Sequence, residues 1–213
     1  MWRSAVQSWL ADRIRDVLYA ALAVLASVVV WPLFRLSVRG RKNLQGKGIL
    51  VARHRSYWDI LILCVAAGPL RRIGFLARRG LLRNPLFAPF VWGFATVIDR
   101  EAFSARDFRK AVRAAERNKI IGIFPEGTTR PGARPKPGAI RFAELLGRPL
   151  IPANIVPHGP YPPSYPLGFP KVEVRFGRPF SVEELAKGLP EGMPRKERYR
   201  LLAERLMERI DAA

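Results

Sequence analysis

A chain of 213 residues has the length of one globular domain and is long enough to bury a real core. Its hydrophobic fraction of 49% excludes a disordered chain, and its single cysteine, Cys64, excludes an intrachain disulfide and suits a cytoplasmic setting. The net charge of +20 is spread along the whole chain, so it attracts polyanions, and both an anionic bilayer and a nucleic acid answer that description.

Residues 1–38 read as a membrane-associated segment, one helix or a helix pair. Trp2, Ala5, Val6, Trp9, Leu10, Ile14 and Val17 recur at helical spacing while Arg3, Asp12, Arg13, Arg15 and Asp16 fall elsewhere, the pattern of a helix lying in a lipid interface. Residues 17–34 then carry no charge, a run of eighteen that is about the lower limit for a bilayer span, with Pro32 near its end. A cleaved signal peptide is disfavoured, because the apolar stretch starts late and no small-residue cleavage site precedes the later motifs. A single span, a helix embedded in one leaflet and a buried soluble helix remain. The amphipathic lead-in that runs straight into the apolar stretch favours the embedded helix.

Residues 39–213 form the second unit, in which strands and helices alternate with short connections. Strands are predicted over 48–53, 73–77, 95–98, 120–124, 150–155 and 171–176, and helices over 58–67, 86–93, 104–118, 137–146, 182–187 and 195–210. This alternation predicts an α/β fold with a mixed, largely parallel sheet flanked by helices. Residues 157–170 hold six prolines and read as a loop beside the site, with His158 in it structural or solvated.

Three stretches carry chemistry. The first strand runs into His54-Arg55-Ser56-Tyr57-Trp58-Asp59. A histidine takes a proton near neutral pH and a carboxylate holds its ring in one tautomer, so His54 and Asp59 are a candidate general base and its orienter. Read blandly, Ser56 is an N-cap with Asp59 three residues later, a capping box with His54 on the preceding loop. Five residues along a helix separate two side chains by about 140°, so the pair meets only if His54 folds back over the first turn. The second stretch is Gly93 to Arg100, a short apolar run ending in Asp99-Arg100. The third, Phe124-Pro125-Glu126-Gly127-Thr128-Thr129-Arg130, places an acid, a glycine and hydroxyls where a buried strand ends, the edge at which open α/β sheets bind ligands. The two histidines lie far apart with no Cys/His cluster, so no metal is expected.

With these blocks in this order, followed by Pro149-Leu150-Ile151-Pro152, the chain resembles the lysophospholipid acyltransferase family, and within it the bacterial 1-acylglycerol-3-phosphate O-acyltransferases, over residues 36–180. The resemblance implies a membrane-associated enzyme at the cytoplasmic face of the cell membrane. It would move a fatty acyl group from an acyl thioester, acyl-CoA or acyl carrier protein, to the sn-2 hydroxyl of lysophosphatidate, with no bound cofactor. His54 and Asp59 would be catalytic. Arg78, Arg100, Glu126, Gly127, Thr128 and Arg130 would bind substrate, the arginines gripping the acceptor's phosphate. Arg79 competes with Arg78 for that role. In the family the arginine usually follows the Gly-Thr pair directly, whereas here Thr129 intervenes, so Arg130 is displaced and Arg134 is an alternative. Another lysophospholipid acceptor therefore stays open. The expected partners are anionic membrane lipid and the two substrates. A basic nucleic-acid-binding protein with a hydrophobic anchor is the distant rival, and it lacks any readout motif.

Overall fold

The computed structural model describes residues 2–78, 95–98, 105–164 and 168–213. The predicted helix over 86–93, Gly93 and Arg100 lie outside the described residues. In chain order the elements are α1 (Trp2–Phe34), β1 (Ser37–Arg39), β2 (Gly48–Ala52), α2 (Trp58–Ala67), β3 (Ile73–Arg78), β4 (Ala95–Ile98), α3 (Ala105–Arg117), β5 (Ile120–Ile123), α4 (Gly138–Leu146), β6 (Leu150–His158), β7 (Lys171–Phe176), α5 (Val182–Ala186) and α6 (Arg195–Asp211).

The amino-terminal segment is one continuous helix. Pro32 sits in its last turn, and the chain leaves through Arg35 at φ 41°, with the N–H of Leu36 reaching back to the carbonyl of Trp31 at 3.1 Å. That is the αL exit a helix commonly uses, here on a residue with a Cβ. Tyr19, Ala23, Val30 and Phe34 lie on one face of α1 and are buried, whereas Ile14, Val17, Leu25 and Val28 on the other side are exposed.

Among the described residues seven strands make one sheet, in the order β1-β7-β6-β2-β5-β3-β4. From β6 to β4 every pair is parallel, β7 runs antiparallel to β6, and β1 is parallel to β7. This is the mixed, largely parallel sheet that the alternating pattern predicts. β2 lies inside it and all five of its residues are buried. Leu50 and Ala52 face the core shared with α1 and α2, and Ile49 and Val51 face the core shared with α3, α4, α5 and α6. A strand covered on both faces reads as a continuous apolar run, as this one does.

Two local expectations change. β1 is three residues long and Ser-Val-Arg carries no periodicity to reveal it. The loop expected from 157 begins later, because β6 continues through Pro157 to an exposed His158. Beyond Ala153, β6 pairs only with β7, so a proline without an N–H is tolerated on the unpaired edge.

Candidate active site

β2 and β5 are paired in parallel with Val51 opposite Ile123. Three residues further on, past the carboxyl end of the sheet, the two chains leave as His54 and Glu126. Glu126 Oε2 accepts the backbone N–H of His54 at 2.7 Å, and its Oε1 accepts Arg53 Nη1 at 3.1 Å. Arg53 in turn grips the carboxylate of Asp211 with two parallel bonds of 2.5 and 2.6 Å, and Asn154 donates to the carbonyl of Asp211 at 2.8 Å. The end of α6 thereby holds the loop that carries His54.

His54 does fold back over the first turn of α2. Its Nδ1 lies 3.1 Å from Asp59 Oδ2. The same oxygen accepts the backbone N–H groups of Arg55 at 2.6 Å and Ser56 at 2.8 Å, and Oδ1 accepts the hydroxyl of Tyr161. The Asp59 side chain is 1% exposed and that of His54 12%, so the carboxylate faces only protein while the ring keeps some contact with solvent. A neutral imidazole beside an acceptor oxygen carries its proton on Nδ1, which leaves a lone pair on Nε2. Burial, and then the charge of Asp59, hold the Tyr161 phenol well above its ordinary pKa, so it stays a donor to the carboxylate.

The expected capping box is present in altered form. Asp59 reaches back to the N–H of Ser56, but Ser56 Oγ accepts from Trp58 at 3.3 Å while the N–H of Asp59 bonds to the carbonyl of Ser56 at 3.1 Å. Cys64 is buried in α2, which pushes its thiol up to about 12 and makes it core.

The His54 ring stacks on Phe124 with centroids 4.2 Å apart, and Phe124 stacks on Phe75 at 5.6 Å. The stack exists because Gly122, opposite Phe75 in the sheet, has no side chain. A Cβ there would lie 2.4 Å from the Phe75 ring. Gly122→Val should therefore displace Phe75, Phe124 and His54 in turn, lowering turnover by at least tenfold and stability by about 1–3 kcal/mol. An enzyme of wild-type turnover and unfolding midpoint would show that the stack does not position His54.

The other expected residues fall as follows. Gly127 adopts φ 68°, which favours glycine, and closes a turn by donating to the carbonyl of Phe124 at 3.1 Å. Thr128 is half-buried, and Arg130 is exposed with its backbone N–H on Thr128 Oγ1 at 3.3 Å. The backbone of Arg78 ends β3 opposite Ile98, at the same edge of the sheet. Glu126, expected to meet substrate, has both oxygens engaged by Arg53 and the His54 backbone. Arg53, Tyr161 and Asp211 were not foreseen. The signal for Arg53 is a charge abutting His54 at the end of an otherwise apolar strand, and for Tyr161 a tyrosine inside the proline loop. Among the described residues no group of three His, Cys, Asp or Glu side chains is placed to hold a metal ion. A cavity of about 220 Å³ opens beside the stack, lined by Leu76, Ala111, Ile123, Phe124, Gly127 and Phe142 among others.

A histidine held by a buried carboxylate, next to an apolar cavity, is equipped to deprotonate a hydroxyl that attacks an acyl group. The family profile described as Acyltransferase matches residues 35–156, more than half of the chain, and the chain belongs to that family. The 1-acyl-sn-glycerol-3-phosphate acyltransferase of Bacillus subtilis (strain 168) is 28% identical over 185 residues, 82% of this chain and 89% of that protein. The protein of the same name from Streptococcus pneumoniae (strain ATCC BAA-255 / R6) is 28% identical over 147 residues, 68% of this chain and 54% of that one. The crystal structure of the 1-acyl-sn-glycerophosphate (LPA) acyltransferase PlsC from Thermotoga maritima shares the fold, with a TM-score of 0.64 at 21% identity over 93% of this chain and 81% of that one.

Proposed function

We propose that this member of the acyltransferase family transfers a fatty acyl group from an acyl thioester, acyl-CoA or acyl carrier protein, to the sn-2 hydroxyl of lysophosphatidate, giving phosphatidate. The observation that carries the reaction type is the 3.1 Å contact between His54 Nδ1 and the buried Asp59. Nε2 takes the hydroxyl proton as the oxygen attacks the thioester carbonyl. Asp59 stabilises the imidazolium that forms. As the tetrahedral intermediate collapses, the carbon–sulfur bond breaks, and the departing thiolate needs no strong acid because a thiol is itself moderately acidic. The N–H groups of Arg55, Ser56, Trp58 and Asp59 are already engaged within the loop and α2. In the turn after Glu126 the N–H groups of Gly127 and Arg130 are engaged likewise, so the oxyanion would fall to those of Thr128 and Thr129. The apolar cavity beside Phe124 suits the acyl chain.

The acceptor assignment is supported by the shared name of the two relatives and by the arginines of the motif blocks. Truncating Arg100 or Arg130 should raise KM for lysophosphatidate more than KM for the acyl donor, because uniform binding of the phosphate is what is lost. Equal effects on both substrates would remove these residues from that role. A panel of lysophospholipids offered with acyl-CoA tests the acceptor itself. Lysophosphatidate should be strongly preferred, and equal transfer to lysophosphatidylcholine would replace it with a broader class, a reading the displaced Arg130 favours.

The same helix that is long and apolar enough to cross a membrane packs side-on against the catalytic unit. Its contact from Tyr19 to Phe34 covers about 22 Å of helix axis. Spanning the bilayer with that stretch would carry α2 and the sheet into hydrocarbon. Lying within one leaflet, with Ile14, Val17, Leu25 and Val28 towards the acyl chains, carries no such cost. The net charge of +20 draws the protein to the anionic cytoplasmic face.

A further inference from the structure

At the end of the sheet opposite His54, the segments leading into β2, β3 and β5 converge beneath residues 12–20 of α1 and enclose a groove of about 540 Å³. Its cationic lining is Arg13, Arg71, Arg72, Arg117 and Lys119. The groove's own acids leave that charge in excess. Asp16 is paired with Arg72 at 3.0 Å, and Asp12 with Arg15 at 3.6 Å. A second hollow of about 310 Å³ shares Arg72 and Arg117 and adds Arg15, Lys110 and Arg113.

The walls are fixed by bonds that do not depend on a ligand. Arg72, its side chain 14% exposed, also donates to the carbonyl of Arg117 at 2.9 Å, and the hydroxyl of Tyr19 donates to the carbonyl of Arg71 at 3.2 Å. Strands of four to six residues separate this groove from His54. At ~3.3 Å per residue it is not the place where the reaction holds its acceptor phosphate.

α1 links the two ends of the sheet. Residues 12–20 line the groove, and Phe34 meets the Trp58 ring at the start of α2 with centroids 5.2 Å apart. A helix lying flat in a leaflet therefore brings both the groove and the active site to the lipid surface. Arg13 and Arg15 flank the exposed stripe of Ile14, Val17 and Leu18, so with the stripe among acyl chains these arginines stand at headgroup depth.

We propose that this groove holds the phosphate of an anionic phospholipid headgroup drawn from the leaflet in which α1 lies. This rests on the in-plane placement of α1. Guanidinium forks suit a phosphate, and the volume is that of a small-molecule site. A lipid in the groove would fix the rotation of α1 about its axis and hold the catalytic end against the same bilayer.

The test measures binding of the full chain to vesicles of neutral phosphatidylcholine and of phosphatidylcholine mixed with phosphatidylglycerol. The variant is Arg71→Gln with Lys119→Gln, which leaves the backbone carbonyl of Arg71 in place for Tyr19. The control is Lys187→Gln with Lys196→Gln, the same change in charge on exposed residues at α5 and α6. Each basic residue close to an anionic surface strengthens binding by roughly fivefold. The groove variant should therefore bind anionic vesicles on the order of twentyfold more weakly, with neutral binding and unfolding midpoint unchanged. The control should lose far less. Equal losses in variant and control would reduce the effect to net charge and overturn the groove. Inorganic phosphate competing the anionic vesicles off at constant ionic strength would make this a free-phosphate site and overturn the lipid. Wild-type protein that ignores neutral vesicles would sink the in-plane placement and with it a lipid drawn from that leaflet, whereas neutral binding kept alongside equal losses in variant and control would overturn the groove alone.

Discussion

His54→Ala should reduce phosphatidate formation by at least 10²-fold and up to about 10⁴-fold, the usual worth of a positioned general base, while the protein stays folded. The ring is held by one side-chain bond to Asp59 and one face on Phe124, and it lies at the rim of the core. The loop itself is fixed by main-chain bonds that alanine retains, from Glu126 to the N–H of His54 and from Asp59 to the N–H groups of Arg55 and Ser56. Truncation therefore costs about 1–2 kcal/mol of a stability of roughly 5–15 kcal/mol, too little to unfold the chain. Turnover measured beside the near-UV circular dichroism separates the two effects. A folded His54→Ala enzyme with even a third of wild-type turnover would mean that another group takes the proton.

Asp59→Asn should be comparably severe in activity and worse for stability. An asparagine amide turned towards His54 donates to Nδ1 and drives the ring proton onto Nε2, which then has no lone pair for the hydroxyl. In a Ser-His-Asp triad this wrong-tautomer change costs about 10⁴-fold, and a loss of 10³-fold or more is expected here. The structure adds a second penalty that His54→Ala avoids. The two carboxylate oxygens of Asp59 take four donors, from His54, Arg55, Ser56 and Tyr161, and an amide has only one oxygen to offer them. Each buried donor left facing an NH₂ group costs about 1–3 kcal/mol, so the denaturation midpoint should fall well below that of His54→Ala. Turnover within tenfold of wild type would show that Asp59 does not set the tautomer, and an unchanged midpoint that it does not organise the loop.

Where apolar periodicity is strong, the structure was legible in the sequence. β2, β5 and α2 were marked by buried runs, and the spacing from His54 to Asp59 already required the ring to fold back over a helix start. β1 was not legible, because Ser37–Arg39 is held by pairing with β7 and not by its own composition. The partners that Glu126 meets were hidden for a related reason. Its partner is decided by the register that sets His54 beside it across β2 and β5, and by Arg53, which a residue at the far end of the chain, Asp211, locks in place. Tyr161 was invisible in the same way, since nothing local in a proline-rich loop says which carboxylate its hydroxyl will meet. Arg130, displaced by one residue, is exposed on the turn.

Direct transfer assisted by His54 is tested most closely by rapid quenching of wild-type and His54→Ala enzyme mixed with a labelled acyl thioester and lysophosphatidate. The label should pass straight into phosphatidate in the wild type, with none retained on protein at any time, and should stay on the thioester in the variant. Label accumulating on the protein before phosphatidate appears, or reaching phosphatidate at an undiminished rate in folded His54→Ala, would contradict it.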